Sequence, residues 1–412
     1  MRIGIFTDTY PPFINGVSTS IAMLEKGLRE KGHDVFIVTV NPENFSYKYE
    51  NEDRIIRIPG VPTGIYDYRL TGIYSIRALN KIKDWKLDII HSHTEFGIGT
   101  FARIVAKQYN IPLVHTYHTM YEDYVHYITK GYFDKTSKKI VEYLTKFYCD
   151  KTARELIVPS TKTYDLFIKK YKIQNRVNII PTGIDISRFF KENVSLSEVK
   201  KIKEDLGIKK NDFILLFVGR LAEEKNVELL INAHNEIIKN HKHVKLMIVG
   251  SGPDYEKYIN LSISLGIKDN VIFTNAIPWN DIPLYYHVAD VFVTASTSET
   301  QGLTVIEAMA ASLPVICADD EAFNRIVING TNGFLFSDKD EYINCIDKII
   351  EDKKLLIDES IEARNTSEEH SIDKYADKIL KVYNRVITMS NEEKNKKWYQ
   401  KIKDKIKGDI NE

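Results

Sequence analysis

The chain has 412 residues, 57 Lys and Arg against 57 Asp and Glu, with 43% hydrophobic and 28% charged residues, the composition of an ordinary folded protein. Three cysteines (Cys149, Cys317 and Cys345) without CxxC spacing argue against a disulfide framework and a thiolate metal centre, and suit a reducing compartment. The opening MRIGIFTDTY has no basic run leading into an apolar core, so no secretory leader is expected; the longest uncharged run, Thr9–Leu24, is broken by Pro11, Pro12 and Asn15 and is not a spanning helix.

Taken in chain order, apolar runs of strand length alternate with helical periods. Arg2–Thr7 (RIGIFT) is predicted as a buried strand, followed by a loop with Pro11, Pro12 and Gly16. An amphipathic helix follows over Val17–Lys31, with Gly32 as its C-cap, and then a strand over Asp34–Val40. Further strands fit Leu87–His91, Pro112–His115, Leu156–Pro159 and Val177–Pro181. A second set fits Phe213–Gly219, Lys245–Gly250, Val271–Thr274, Val291–Thr294 and Pro314–Cys317, with helices near 226–239, 254–265, 281–287 and 303–311 between them. Such alternation implies right-handed crossovers and parallel sheets covered on both faces, an α/β fold of two doubly wound halves facing across a cleft. The expected divisions are 1–186, 187–375 and a Lys-rich helical end, 376–412, that packs back or meets a membrane. Residues 1–190 carry 27 Lys and Arg against 20 Asp and Glu, and the remainder 30 against 37, so the first half is expected to face something anionic unless the split is chance scatter.

Three stretches carry chemistry. Gly219-Arg220-Leu221-Ala222-Glu223-Glu224-Lys225-Asn226 follows a strand and opens a helix; an Arg fork, a mobile Lys and helix N–H groups suit a diphosphate, whereas the plain alternative is a solvated loop with an Arg–Glu pair. Gly250-Ser251-Gly252-Pro253 reads best as a plain turn. In Ser298-Glu299-Thr300-Gln301-Gly302-Leu303-Thr304-Val305-Ile306-Glu307, two carboxylates flank backbone N–H groups at a helix start. The loop glutamate can hold sugar hydroxyls, the amides a phosphate and the later glutamate a ribose diol; the bland alternative is one cap and one ordinary helix glutamate.

GRLAEEKN, then SETQGLTVIEAMAASLPVI and NGTNGFLF, resemble the retaining glycosyltransferases of family four, which have the GT-B fold. IFTDTYPPFINGVSTSI and HSHTEFGIG extend the resemblance over nearly the whole chain, and the stretch from Thr116 to Ile128 is similar to the diacylglycerol glucosyltransferases within that family. The resemblance implies that Gly16 lets the first loop approach the donor diphosphate and that Arg220 and Lys225 neutralise it. It implies that Glu299 holds the transferred sugar, with Gly302, Leu303 and Thr304 supporting sugar and phosphate. Glu307 then holds the ribose, the Ile277 backbone the base, and His118 lies beside the reacting centre. Relatives often carry Gly-Gly where this chain has Asn15-Gly16; Asn tolerates left-handed backbone, so the loop is expected to keep its shape. The implied partners are a UDP-sugar, diacylglycerol and an anionic membrane surface, not nucleic acid. The resemblance implies no cofactor and no metal for donor binding, and a cytoplasmic enzyme peripheral to the inner face of the membrane.

His91 and His93 on one strand face, with His115 and His118 nearby, raise zinc as an alternative, against which stands the lack of neighbouring Cys or HExxH spacing. Packed or hydrogen-bonded histidines, with His118 alone at the reacting centre, are the expectation. Lys135, Lys138, Lys139 and Lys146 accompany Ile140, Leu144 and Phe147 at helical spacing, a pattern in which the apolar residues cover the sheet and the lysines meet anionic lipid or simply solvent. Trp398, Ile402 and Ile406 recur among lysines as a second basic amphipathic stretch. Other readings of the whole chain are the same transferase chemistry on a polyprenol-linked or soluble acceptor, a nucleotide-sugar epimerase, and a non-catalytic sugar-binding protein.

Overall fold

The computed structural model describes residues 1–410 except 14, 63–68, 96, 119–145, 297, 298 and 300. Lys135, Lys138 and Lys139 therefore lie outside the described residues, as does most of the stretch from Thr116 to Ile128. The chain groups into two units, one formed by Met1–Gly183 with Ile372–Glu412, the other by Ile184–Ser371. The chain thus passes from one unit to the other after Gly183 and returns after Ser371, whereas the sequence predicts divisions after 186 and 375.

In the first unit the strands are β1 (Arg2–Phe6), β2 (Asp34–Val40), β3 (Lys48–Glu50), β4 (Ile55–Ile58), β5 (Gly60–Pro62), β6 (Arg69–Thr71), β7 (Ile89–Ser92), β8 (Leu113–Thr116), β9 (Glu155–Val158) and β10 (Arg176–Ile179). Among the described residues the main sheet runs β10-β9-β8-β7-β1-β2-β4-β3, parallel except for the β3–β4 edge pair. Ile3 and Ile5 of β1 pack on one face and Phe6 on the other, the period-2 burial of a strand covered on both sides. The order reverses between β1 and β7, so the loops after these two strands meet at the carboxyl ends of the sheet.

A long helix, Ile372–Ile410, covers one face of this first sheet, which resolves the choice left open for the C-terminal segment as far as its first half is concerned. Tyr375, Ala376, Ile379, Leu380, Tyr383 and Val386 pack against Ile3, Ile5, Leu24 and Leu28. Gly27 of the helix Gly16–Glu30 permits the approach, since a Cβ there would sit 2.7 Å from Ile372 Cγ2. Arg385 grips Glu155 with two hydrogen bonds, of 2.6 and 2.5 Å, and Lys31 pairs with Asp373 and Asp377. Although burial opposes it, the hydrogen bonds from Arg385 and Asn178 hold the Glu155 carboxyl below its ordinary range. Farther along, Trp398 is 57% exposed.

The second unit contains β11 (Phe213–Val218), β12 (Val244–Val249), β13 (Val271–Phe273), β14 (Val291–Thr294), β15 (Val315–Ala318) and β16 (Gly333–Phe336). They run β13-β12-β11-β14-β15-β16, with every pair parallel. Leu215 and Phe217 of β11 face one core and Ile214 and Leu216 the other. Burying such a side chain is worth about 1.5–3 kcal/mol each, which is why the FILLFV run makes a central strand. Here the order reverses between β11 and β14.

Candidate active site

The loops after β11 and β14 bring Lys225 and Glu299 into contact. After β11 the chain makes a short turn, Glu223–Lys225, and Asn226 takes φ 49° before the helix Val227–Asn240 begins. That left-handed residue is one Asn tolerates at little cost. Lys225 Nζ reaches Glu299 Oε1 at 2.5 Å and Ser296 Oγ at 3.4 Å, while Ser296 Oγ donates to the same carboxylate oxygen at 3.1 Å. Lys225 and Glu299 keep 20% and 21% of their side-chain surface exposed, so the pair is set into the surface without being sealed from it. The Arg–Glu pair of the bland alternative does not form: among the described residues Arg220 has no ion pair, and its guanidinium is exposed.

Gly302 takes φ 61° and starts the helix Leu303–Ala310, whose first N–H groups, from Leu303 and Thr304, have no preceding turn to bond. Glu307 lies on this helix and is half-buried. Tyr286, itself fully buried, donates its Oη to Glu307 Oε2 at 2.9 Å. Burial pushes the Glu307 carboxyl up to about 7, against the lowering pull of Tyr286 and of the Arg188 charge. Arg188 stacks 3.3 Å above the Trp279 ring and donates to the Trp279 carbonyl at 3.1 Å, and Trp279 is 61% exposed. Ile277 lies two residues earlier in the same loop, its side chain packed on the core. Gly250 and Gly252 are required by packing: a Cβ at Gly250 would lie 1.9 Å from the Gly219 carbonyl oxygen, and one at Gly252 would lie 2.2 Å from that of Leu221. They are a close-packed turn, as read.

In the first unit the loops after β1 and β7 hold a different chemistry. Asn15 is extended, φ −158°, and its side chain caps the helix Gly16–Glu30 by accepting from Ser18 N at 2.9 Å. This corrects the expected use of left-handed tolerance; Asn serves here as a helix cap, held by its amide on Thr9 Oγ1 at 2.8 Å. A Cβ at Gly16 would meet nothing within 4 Å, so the space beside it is open. Asp8 is buried and bonded to Thr94 Oγ1 and to Ile98 N at the start of the helix Gly97–Tyr109, an internal role.

Four histidines line the β7 and β8 ends. His91 is held between the Tyr383 and Thr116 hydroxyls at 2.6 Å each. His115 lies 2.9 Å from Glu95 Oε1 and 2.8 Å from Ser92 Oγ. His93 Nδ1 lies 2.9 Å from His118 Nε2. Burial, reinforced by His115, lowers the His118 pKa to about 4, and burial holds His91 and His93 well below 6.5. Among the described residues no set of three His, Cys, Asp or Glu side chains is grouped for a metal. Lys146 is half-buried where the short helical segment Phe147–Lys151 begins.

Sequence reasoning did not reach Arg188, Tyr286, Ser296 or the His93–His118 contact. The signal available was a Trp in the polar turn IPWNDIP and an Arg between apolar residues in ISRFF.

Residues 14–188 match the model of Glycosyltransferase Family 4, and residues 198–369 that of Glycosyl transferases group 1. Over 96% of its length the chain is 36% identical to the alpha-monoglucosyldiacylglycerol synthase of Acholeplasma laidlawii, all of which is covered. It is 38% identical to the synthase of the same name from Streptococcus pneumoniae over 82% of this chain and 75% of that one. Among solved structures, Anabaena HepE in complex with UDP superposes with a TM-score of 0.67 at 20% identity, covering 93% of this chain and 100% of that one, a likeness of fold. Sucrose-phosphate synthase from Thermosynechococcus elongatus gives 0.65 at 19% identity over 94% and 99%. With two doubly wound parallel-sheet units and an end-to-end relative at this identity, the chain belongs to glycosyltransferase family 4 and has the GT-B fold.

Proposed function

We propose that the chain moves glucose from UDP-glucose to the 3-hydroxyl of 1,2-diacylglycerol, with retention, to give alpha-monoglucosyldiacylglycerol. The observation that carries this reading is the Lys225–Glu299–Ser296 network at the strand-order reversal of the second sheet, in a chain aligned from end to end with a synthase of that name. In the step itself the glucosyl C1–O bond to the diphosphate breaks and UDP leaves. The acceptor 3-oxygen forms the new C1–O bond on the same face, and its proton passes to the departing phosphate oxygen.

Arg220 and Lys225 meet the negative charge that grows on the diphosphate, helped by the N–H groups at Gly302–Thr304. Glu299 accepts hydrogen bonds from sugar hydroxyls and Glu307 from the ribose diol. Gly16 leaves its backbone open to the diphosphate, Ile277 offers its backbone to the base, and His118 stands beside the sugar. Two cations and a helix start supply the charge that a divalent metal supplies elsewhere, so donor binding needs no metal. Among the described residues no helix is long and apolar enough to cross a membrane. In this reading the enzyme is peripheral on the cytoplasmic face, held by anionic lipid at Lys135, Lys138, Lys139 and Lys146.

The test is UDP-glucose incubated with and without diacylglycerol in anionic vesicles, with the product examined by NMR. An α-linked glucosyldiacylglycerol, formed at the same rate in EDTA, is expected. A β-linked product, loss of activity in EDTA, or conversion of UDP-glucose without transfer to diacylglycerol overturns the reading, and the last outcome points to another acceptor or to an epimerase.

A further inference from the structure

His93 lies directly after β7 and is 2% exposed. Its ring centroid is 4.0 Å from that of His91 and 5.2 Å from that of His118, whose plane is inclined to it by 21°. Its Nδ1 contacts His118 Nε2 at 2.9 Å, and its own Nε2 is buried without a hydrogen-bond partner among the described residues. Of the neighbouring histidines, His91 ends on groups that adapt to either proton position. His91 lies between two hydroxyls, each able to donate or accept. His115 meets acceptors on both sides, the Glu95 carboxylate 2.9 Å from Nε2 and the Ser92 carbonyl 2.9 Å from Nδ1, with the Ser92 hydroxyl 2.8 Å from the same Nδ1.

The His93–His118 contact has no such freedom, because a neutral imidazole carries one N–H and one lone pair at fixed positions. A single proton lies between the two rings, and there are two ways to supply it. If His118 donates, the remaining proton of His93 sits on Nε2, a buried N–H with nothing to bond. If His93 donates, its Nε2 keeps only a lone pair. Orphaned buried N–H groups are rarer in folded proteins than under-satisfied acceptors, so the second arrangement is the favoured one. His118 Nε2 is then an acceptor and its proton is on Nδ1.

We propose that His93 is a positioning residue that fixes the tautomer of His118, so that His118 offers the substrate an Nδ1–H hydrogen-bond donor and not a base. The inference rests on the placement of His118 beside the reacting sugar. It says that the acceptor hydroxyl does not give its proton to this imidazole, which agrees with proton transfer to the departing phosphate. Burial keeps both rings neutral and so preserves the one-proton arrangement.

The experiment reads the tautomer and turnover separately. Long-range 1H–15N spectra of the full chain with 15N-labelled histidine, with His118 identified by its loss in His118→Gln, should show His118 protonated at Nδ1. In His93→Leu that signature should disappear and kcat should fall by about tenfold or more, as when one preorganised donor is removed, while UDP affinity stays within about twofold. His93→Asn places an amide N–H where Nδ1 stood and should restore both; His93→Asp can only accept there and should restore neither. Finding His118 protonated at Nε2 in the unaltered protein, or equal rescue by Asp and Asn, overturns the proposal. If His93→Leu does not fold, the Asn and Asp variants carry the same comparison. Full turnover in His118→Gln with the Nδ1–H signature present in the unaltered protein refutes the placement of His118 at the substrate and leaves the tautomer assignment standing.

Discussion

The two sheets reverse their strand order in the same way, yet the loops at the two reversals differ in charge. In the second unit the groups are ionic and partly exposed: Lys225 and Glu299 share one contact, and Arg220 is exposed without an ion pair among the described residues. In the first unit the carboxylates are used internally, Asp8 on Thr94 and Ile98 and Glu95 on His115, and what remains is imidazoles kept neutral by burial. An ionic loop pair is suited to a diphosphate that gains charge as it leaves. A neutral, hydrogen-bonding pair is suited to hydroxyl groups, whose reaction would be misdirected by a free base or a strong anion. One topology thus presents two chemistries, and the division is set by which side chains find partners inside their own unit.

Removing the cations is the strongest way to break this contrast. Arg220→Ala and Lys225→Ala should each lower kcat by about 100- to 1,000-fold, on the order of 3–4 kcal/mol of transition-state stabilisation. UDP affinity should fall as well. Lys225→Ala also leaves Glu299 with Ser296 alone, so Lys225→Ala with Glu299→Gln should recover UDP binding relative to Lys225→Ala by removing the uncompensated carboxylate. Full turnover in either single variant, measured by UDP release, would show that the ionic loops do not face the leaving group.

The first half of the sequence is basic although its histidine cluster is neutral, and that charge should act at a distance from the chemistry. Replacing Lys135, Lys138, Lys139 and Lys146 together by Gln should remove roughly 2–4 kcal/mol of affinity for anionic vesicles, at about 1 kcal/mol per engaged lysine. The loss should shrink as salt rises, and UDP binding should not change. Co-sedimentation with anionic and zwitterionic vesicles at two ionic strengths measures it. Equal, salt-insensitive binding to both would return these lysines to a solvated helix face.

What could be read in advance follows from how local each feature is. Runs that are apolar throughout were legible, and Val291–Thr294 was placed to the residue. The strand Ile55–Ile58 was not, because Arg57 interrupts it; the side chain is buried, bonded through Nε to Glu50 of the neighbouring strand and through Nη2 to the Pro11 carbonyl, contacts that exist only once the chain has folded. Gly333–Phe336 escaped because it is a short edge strand opening on a glycine, whose missing Cβ would fall 2.0 Å from the Val315 carbonyl oxygen. Arg220, Lys225, Glu299 and Glu307 were legible as motif members. Their partners were not: Ser296 joins Glu299 to Lys225 of another loop, and Tyr286 and Arg188 lie on the short helices Ile282–Tyr286 and Ile186–Phe189, brought near only by the fold. For the same reason the role of His93 depends on the orientation of a ring 25 residues away.

The second unit also holds a carboxylate that is not presented to anything, and it sharpens the contrast between use and burial. Glu359, on the helix Lys353–Glu368, is 1% exposed with neither oxygen bonded among the described residues, and burial raises its pKa to about 7. The folded form therefore holds this proton up to about pH 7, whereas an unfolded chain releases it near 4.5. Between these values the folded state binds more protons, so stability falls as pH rises through that window, by on the order of 1–3 kcal/mol. Glu359→Gln should stabilise the protein at pH 8, flatten the dependence between pH 5 and 7, and leave kcat unchanged. Denaturant unfolding at pH 5 and 8 checks this. A variant no more stable than the parent at pH 8 would mean that Glu359 has found a counter-charge.

Glu307 tests the contrast most finely, because it is the one site carboxylate that burial brings near neutrality. Its pKa of about 7 in the ligand-free protein means that near neutral pH the group is divided between acid and carboxylate. A ribose diol donates two hydrogen bonds and so binds the carboxylate better than the acid, which lowers the pKa in the complex. Affinity must then rise with pH through the interval between the bound and free values, reaching its plateau above about 7. The ligand for this measurement is UDP-glucose, whose diphosphate is a diester on both sides and does not itself titrate near neutrality. Calorimetry between pH 5.5 and 8 should show affinity increasing by about tenfold, or 1.4 kcal/mol, if the shift on binding is one unit. Among the described residues Arg188 and Tyr286 are the groups that face Glu307, and neither titrates in this range, so the change belongs to the carboxylate. Glu307→Gln should lower affinity at pH 8 and remove the pH dependence together. If the pH dependence persists in that variant, Glu307 is not the group that meets the ribose, and its burial against Tyr286 is a matter of packing alone.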